Sequence, residues 1–364
     1  MSETRKFQLW MDQQALPVWA SIGLDADAAG FVEHLGLDGR PVAVDFKRVR
    51  VQARQIYVYS HAEMLGRPGA LDAAHAGYDF LVAHGQLGDG LWARRLGRHG
   101  GVQDAAVDLY DQSFVVLALA HFHNASRIPS ALDLASATVR AIGRDGRHPS
   151  GLGFHDHWPD PSPHRSQNPH MHLLEATLAL LAVTADPQHA ALADELVELF
   201  EQRFFHAETG TLGEHFDETL RPVTDHVEPG HQMEWVWLLR EYARLRGGGH
   251  TDAMDRLYAF ATTHGTNPET GLLYDIVGRN GTVRDGGTRL WPQTEAVRAH
   301  LVMGRPDRAE AALAALSKRF LHPAPAGMWH DHFHADGRLR SNTVPASSLY
   351  HLFTAHAELK ATPP

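Results

Sequence analysis

No cysteine occurs among the 364 residues, which excludes disulfides and thiolate metal sites and fits a reducing compartment. No apolar run approaches the roughly 18 residues of a membrane span, and Met1 to Gln8 is polar, without the apolar core of a secretion signal. The chain is therefore expected to be cytoplasmic, with no membrane partner. Positive charge is in deficit, 33 Lys and Arg against 43 Asp and Glu for a formal net charge of −10. No cluster of Lys and Arg stands out, so a nucleic-acid partner is not expected. Neither G-x-G-x-x-G after a strand nor G-x-x-x-x-G-K-[ST] is present, which argues against a nucleotide cofactor.

Histidine is abundant instead, at 27 residues, most of them expected at the surface or satisfied in the core. A few fall in a recurring design. In Glu228 to Leu239, Pro229 suits the first turn of a helix, and His231, Glu234, Trp235 and Leu238 then recur on one face. The same pattern returns in Asn168-Pro169-His170-Met171-His172-Leu173-Leu174-Glu175, in Trp291-Pro292-Gln293-Thr294-Glu295 and in Val344-Pro345 through His351. If these helices lie side by side, their N-terminal ends meet on one floor, where free N–H groups and helix dipoles favour the oxygens of a polar ligand.

Turns at Asp38-Gly39, His99-Gly100-Gly101, Pro159-Asp160-Pro161, Asp217-Glu218-Thr219, Asn280-Gly281 and Asp336-Gly337 recur at intervals of roughly 60 residues, implying six repeated units. Apolar periodicity predicts a first set of amphipathic helices near 7–22, 70–84, 130–142, 188–204, 251–264 and 307–318. A second set, apolar on all sides, is predicted near 45–64, 105–123, 168–184, 229–245, 291–304 and 344–358. The expected fold is all-α: an (α/α)6 barrel of six inner and six outer helices with short β-hairpin-like loops, one domain over 1–364. Arg54, inside an apolar helix, is either a ligand clamp or one half of an ion pair. Tyr110 either faces the mouth or packs in the wall.

These stretches resemble the N-acylglucosamine 2-epimerase superfamily, which includes cellobiose 2-epimerases and aldose–ketose isomerases of the mannose isomerase type. The resemblance is carried by QARQ at 52–55, NPHMHLLEA at 168–176, EPGHQMEW at 228–235, RLWPQTEA at 289–296, MWHDHFHADGR at 328–338 and PASSLYH at 345–351. It implies the same barrel and no cofactor, with His231 and His351 as the acid/base pair. It further implies that Glu234 and Glu295 hold sugar hydroxyls or tune those histidines, and that Arg54, Tyr110, Asn168 and His172 line the pocket. Trp291 and Trp329 match aromatics near the sugar. A cation that precedes the central motif in some members has Arg221 as its nearest counterpart. The implied substrate is a monosaccharide.

The residue types suit that chemistry independently. Moving hydrogen between C1 and C2 of a sugar needs a base near neutrality and donors or cations that stabilise an enediolate, and His, Arg and carboxylates supply both. Mannose–fructose interconversion is the expected reaction, with 2-epimerisation as the alternative. The hint is Trp235, since isomerases of the superfamily tend to read Glu-Trp after the central His and epimerases Glu-Ala; the indole would either restrain the opened sugar or pack into the barrel wall. Competing readings are a glycoside hydrolase using Glu234, Glu295 and Asp331, and a metal enzyme using the H-x-H segments at His155, His157, His330, His332 and His334. A sugar-binding protein without activity is a third. The sequence leaves monomer or homodimer open.

Overall fold

The structure is a computed structural model that describes residues 1–362. Local sequence explains where its helices begin. Pro129, Pro187, Pro229 and Pro306 each open a helix at the first turn, where a missing N–H costs nothing. Ser2 caps the first helix by accepting a hydrogen bond from the Arg5 N–H.

Among the described residues, twelve helices alternate between two rings. The outer ring consists of 3–21, Ala70–His84, Pro129–Asp145, 187–204, Thr251–Thr263 and 306–321. Three of these contain a single π turn, at Met11–Ala15, Phe200–Phe204 and Ser317–Leu321. The inner ring consists of Val49–Met64, Leu109–Ser126, Gln167–Thr184, Pro229–Arg246, Leu290–Val302 and Ser348–Ala361. Each inner helix packs on the next, and the last packs on the first, so the ring closes. Burial follows the predicted division. Leu109–Ser126 buries residues on every face from Asp111 to Ala120, whereas Pro129–Asp145 buries only the stripe Ala131, Ala135, Thr138, Ala141 and Ile142. No helix among the described residues is long and apolar enough to cross a membrane.

Short strands stitch the mouth. Phe46–Arg48 pairs with Arg95–Gly97, Val107–Asp108 with His157–Trp158, Arg165–Ser166 with His215–Phe216, His226–Val227 with Ile276–Gly278, and Thr288–Arg289 with His332–Phe333, all antiparallel. Each first partner leads into an inner helix, so its pairing sets the height at which that helix starts. The sixth pair, Thr343–Pro345 with His34–Gly36, joins the last unit to the first.

A second device repeats one turn into the inner helices. The Gln112 side chain accepts from the Trp92 N–H at 3.0 Å and donates to the Trp92 carbonyl at 2.8 Å. Gln52 does the same to Phe31, and Gln293 to Leu273. Gln232 binds the Leu212 N–H and the Leu257 carbonyl, and in the third unit His170 accepts from the Phe154 N–H. Buried backbone groups without partners cost about 1–3 kcal/mol each, so these side chains pin neighbouring backbone to the inner helices.

Three predicted starts move by four residues: the inner helices expected from 45, 105 and 344 begin at Val49, Leu109 and Ser348, after short strands. Pro345 does not open a helix: it ends the closing strand, and the last inner helix starts at Ser348. The strand pairing with His34–Gly36 holds this segment extended, overriding the Pro-start pattern.

Candidate active site

The N-terminal ends of the inner helices surround a cavity of about 380 Å³. His231 enters it from the start of Pro229–Arg246 and donates from Nδ1 to Glu214 Oε2 at 2.9 Å. Glu214 also accepts from the Gln167 side chain and the Glu228 N–H, which fixes its carboxylate. Burial opposes charge on His231, but the carboxylates of Glu214 and Glu228 outweigh it and raise its pKa to about 9.

His351, from the last inner helix, donates from Nδ1 to Glu295 Oε1 at 2.9 Å, and Arg298 grips the other Glu295 oxygen at 2.5 Å. Burial, with Arg54, His172 and Arg298 nearby, holds His351 well below the ordinary imidazole pKa. Both imidazoles therefore use Nδ1 on a carboxylate and keep Nε2 for the cavity, one protonated at neutral pH and the other not. Trp291 lies beside both, at ring distances of 4.9 Å from His231 and 5.5 Å from His351.

A third histidine, His172, bonds Glu175 at 3.1 Å, and Tyr350 donates its hydroxyl to the same carboxylate. Arg54 resolves into a polar clamp: it donates to the Tyr110 hydroxyl, with its guanidinium 4.1 Å from the Phe114 ring centre and 5.0 Å from that of Tyr350. Glu234 is 2% exposed and makes no hydrogen bond; the His172 Nδ1 is 3.9 Å away. Burial, with Glu295 and Glu175 close by, pushes its pKa well above the usual carboxylate range. A neutral carboxyl there is a donor facing the cavity. On the rim, Arg289 links Glu228 and Asp275, and Ser348 donates to Asp331 at 2.6 Å.

Eight of the predicted residues line this one cavity: His231, His351, Arg54, Tyr110, Asn168, His172, Glu234 and Trp291. Glu295 lies behind it on His351. Two do not belong there. Trp235 is fully buried in the wall, stacked on Phe200 at 4.3 Å, with its N–H on Gln167. Being on the same helical stripe as His231 did not carry its bulk inward, because the side chain lies toward the outer ring. Trp329 is also fully buried, stacked on Trp19 at 5.1 Å; its neighbour Asp331 reaches the cavity instead. Arg221 sits exposed in a turn, where its N–H caps Asp217. Sequence reasoning placed Glu175 on the face of Asn168 and His172 but missed Glu214, Glu228, Arg289, Tyr350 and Arg298.

Three groups have ligand atoms close enough together for a divalent cation: Glu234, Glu295 and His351; His172, Glu175 and Glu234; and Glu214, Glu228 and His231. In each the imidazole Nδ1 is already committed to a carboxylate or cavity-facing pair. The H-x-H segments go elsewhere. His332 bonds Asp275 at 2.6 Å, and His155 packs its ring on His148.

Behind this cavity, Glu175 and Arg298 face a second one, of about 490 Å³, at the C-terminal end of the inner helices, together with Tyr57, His61 and Trp237.

Residues 30–355 match the family described as N-acylglucosamine 2-epimerase (GlcNAc 2-epimerase). A mannose-6-phosphate isomerase of Rhizobium meliloti (strain 1021) is 34% identical, covering 96% of this chain and 95% of that protein. Among solved structures, the cellobiose 2-epimerase of Bacillus thermoamylovorans B4167 superposes with a TM-score of 0.90 at 20% identity, covering 98% of each chain. A D-mannose isomerase superposes with a TM-score of 0.86 at 20% identity, covering 99% of each.

Proposed function

The chain belongs to the N-acylglucosamine 2-epimerase family, whose members are sugar isomerases and epimerases, and we propose that it interconverts D-mannose and D-fructose through a cis-enediolate. After the ring opens, neutral His351 takes the C2 proton at Nε2. The C2–H electron pair forms the C1–C2 double bond, and charge moves onto the carbonyl oxygen. His231, protonated at neutral pH, donates to that oxygen, with Arg54 adding positive charge nearby. The C1–C2 double bond then takes the proton back from His351 at C1, while the C2 hydroxyl gives its proton to His231, its O–H electron pair closing the C2 carbonyl of the ketose and both histidines regaining their starting states. No oxidant or cofactor enters the balance. Neutral Glu234 is suited to donate to a sugar oxygen.

The observation that carries this reading is the opposite protonation of two imidazoles opening into one cavity. Epimerisation needs both sides of the sugar to exchange protons with carbon, each group acting as base in one direction. A histidine held protonated by Glu214 and Glu228 is poorly fitted to that second role, whereas isomerisation asks only one group to take a proton from carbon. Trp235 packs in the wall and does not restrain the sugar; Trp291 is the indole beside both imidazoles. The family assignment and the paired histidines also speak against the hydrolase and pure-binding readings.

The test is a proton NMR time course with D-mannose in D2O. Fructose is expected as the first and main product, with deuterium entering C1 to the extent that the abstracted proton exchanges. Glucose accumulating first, with fructose at trace level, assigns 2-epimerisation instead.

A further inference from the structure

A neutral imidazole has two forms, and His351 can serve as the base in one of them. It takes a proton from carbon at Nε2 when its own proton is on Nδ1, and cannot when that proton is on Nε2. Nδ1 faces Glu295 Oε1 at 2.9 Å, so the form is decided within that one hydrogen bond. With Glu295 ionised, Oε1 accepts and the proton belongs to Nδ1. With a proton on Oε1, the carboxyl donates to Nδ1 and the imidazole proton moves to Nε2, where it blocks the nitrogen that faces the sugar.

Arg298 acts on that choice. It lies three residues after Glu295 on Leu290–Val302, is 1% exposed, and donates to Glu295 Oε2 at 2.5 Å. Among the described residues this is the one hydrogen bond its side chain makes, and its Nε is buried without a partner. A buried guanidinium with so few of its five donors in use is costly to hold, so its own hydrogen bonding does not explain its place. A guanidinium donates and never accepts. Oε2 must therefore turn a lone pair to it, and any proton on Glu295 is confined to Oε1, in the bond to His351. The positive charge then works against that proton. Burial pushes the Glu295 pKa up, and Arg298 is the strongest influence in the opposite direction. Trp237, from Pro229–Arg246, sets its ring centre 3.9 Å from the guanidinium and so packs it from the neighbouring helix.

We propose that Arg298 is a positioning residue for the base: by holding Glu295 Oε2 it keeps the carboxylate ionised and the His351 proton on Nδ1, so that Nε2 meets the sugar as a lone pair. The proposal rests on the isomerase reading above, in which His351 is that base.

Glu295→Gln provides the test, because there Arg298 should select the wrong form. An amide has one accepting and one donating end. Arg298 draws the oxygen to itself, which leaves the NH2 against Nδ1 and puts the imidazole proton on Nε2. This variant should lose kcat by on the order of 1,000-fold to 10,000-fold, the scale of a wrong tautomer at a catalytic histidine, with the KM for D-mannose little changed. Adding Arg298→Met frees the amide to turn its oxygen to Nδ1. The double variant should therefore regain roughly tenfold or more of the kcat that Glu295→Gln loses, although it lacks one more polar side chain. Histidine ring 15N resonances read the tautomer directly: Nδ1–H at His351 is expected in the wild type and the double variant, and Nε2–H in Glu295→Gln. If Arg298 served only to balance buried charge, Glu295→Gln would keep Nδ1–H and the second substitution would lower activity further. Either result overturns the proposal, and so does Nε2–H in the wild type, which decides against it even where a variant does not fold. A wild type that leaves D-mannose unconverted would refute the isomerase reading instead, with the three spectra still deciding what Arg298 does to His351.

Discussion

His231 hydrogen-bonds to Glu214, 17 residues upstream, and not to Glu234 one turn along its own helix. The choice of partner divides the labour between the two carboxylates. Glu214 orients the imidazole and keeps it charged, and Glu234 is left free to meet the sugar. Replacing Glu214 by Gln should move the alkaline limb of the kcat/KM profile from near pH 9 toward the ordinary imidazole value of about 6.5. The profile of Glu234→Gln should keep its alkaline limb closer to that of the wild type. Equal displacement in both variants would mean that the hydrogen bond to Glu214 does not set the charge.

His231→Asn and His351→Asn should each lower turnover by on the order of 100-fold to 10,000-fold, the usual cost of losing a general acid or base. Far-UV circular dichroism should be unchanged, since neither ring supports the hydrophobic core. More than a tenth of wild-type activity in either variant removes that residue from the mechanism.

Stability should also depend on pH through His231. Its folded pKa, about 9, is raised above the ordinary imidazole value of about 6.5, so the contribution is full below pH 6.5 and is lost as pH rises through 9. A difference of that size corresponds to about 3 kcal/mol. Urea unfolding followed from pH 6 to 10 should show a decline that His231→Gln lacks. Parallel curves for the two proteins would show that the charged imidazole is not stabilised in the folded state.

Activity should survive exhaustive treatment with EDTA. The imidazole Nδ1 atoms of His231, His172 and His351 are bonded to carboxylates, and the charge that develops on the enediolate has His231 and Arg54 to meet it. Loss of activity that one added divalent metal restores would place a cation among Glu234, Glu295 and His351, the group best placed to take it.

The barrel was legible because its units repeat and because inner and outer helices differ in how many faces they bury. Residues on the first turns of inner helices were legible too, since the N-terminal ends of a closed ring can only converge. Side-chain direction was not. Trp235 shares a helical stripe with His231 but lies toward Phe200, a distinction that a period of 3.6 cannot make. Glu214 escaped because it sits in a short extended stretch, where no local pattern marks it, and its partner is on another element. One signal was available and unused: Gln52, Gln112, Gln232 and Gln293 recur at the same place in their units, and each buries its amide on loop backbone.

Only short chains of hydrogen-bonded side chains separate the two cavities. From the rear cavity, Glu175 reaches His172 directly, and Arg298 reaches His351 through Glu295. Trp237, on that rear lining, holds its ring 3.9 Å from the Arg298 guanidinium. Substitutions there alter the field at a catalytic imidazole without touching the walls that fit the sugar, and substitutions at the mouth do the reverse. The acidity range of the reaction and its choice of substrate are thus open to change from opposite ends of the barrel, so that a lineage can adjust either one while the other stays fixed.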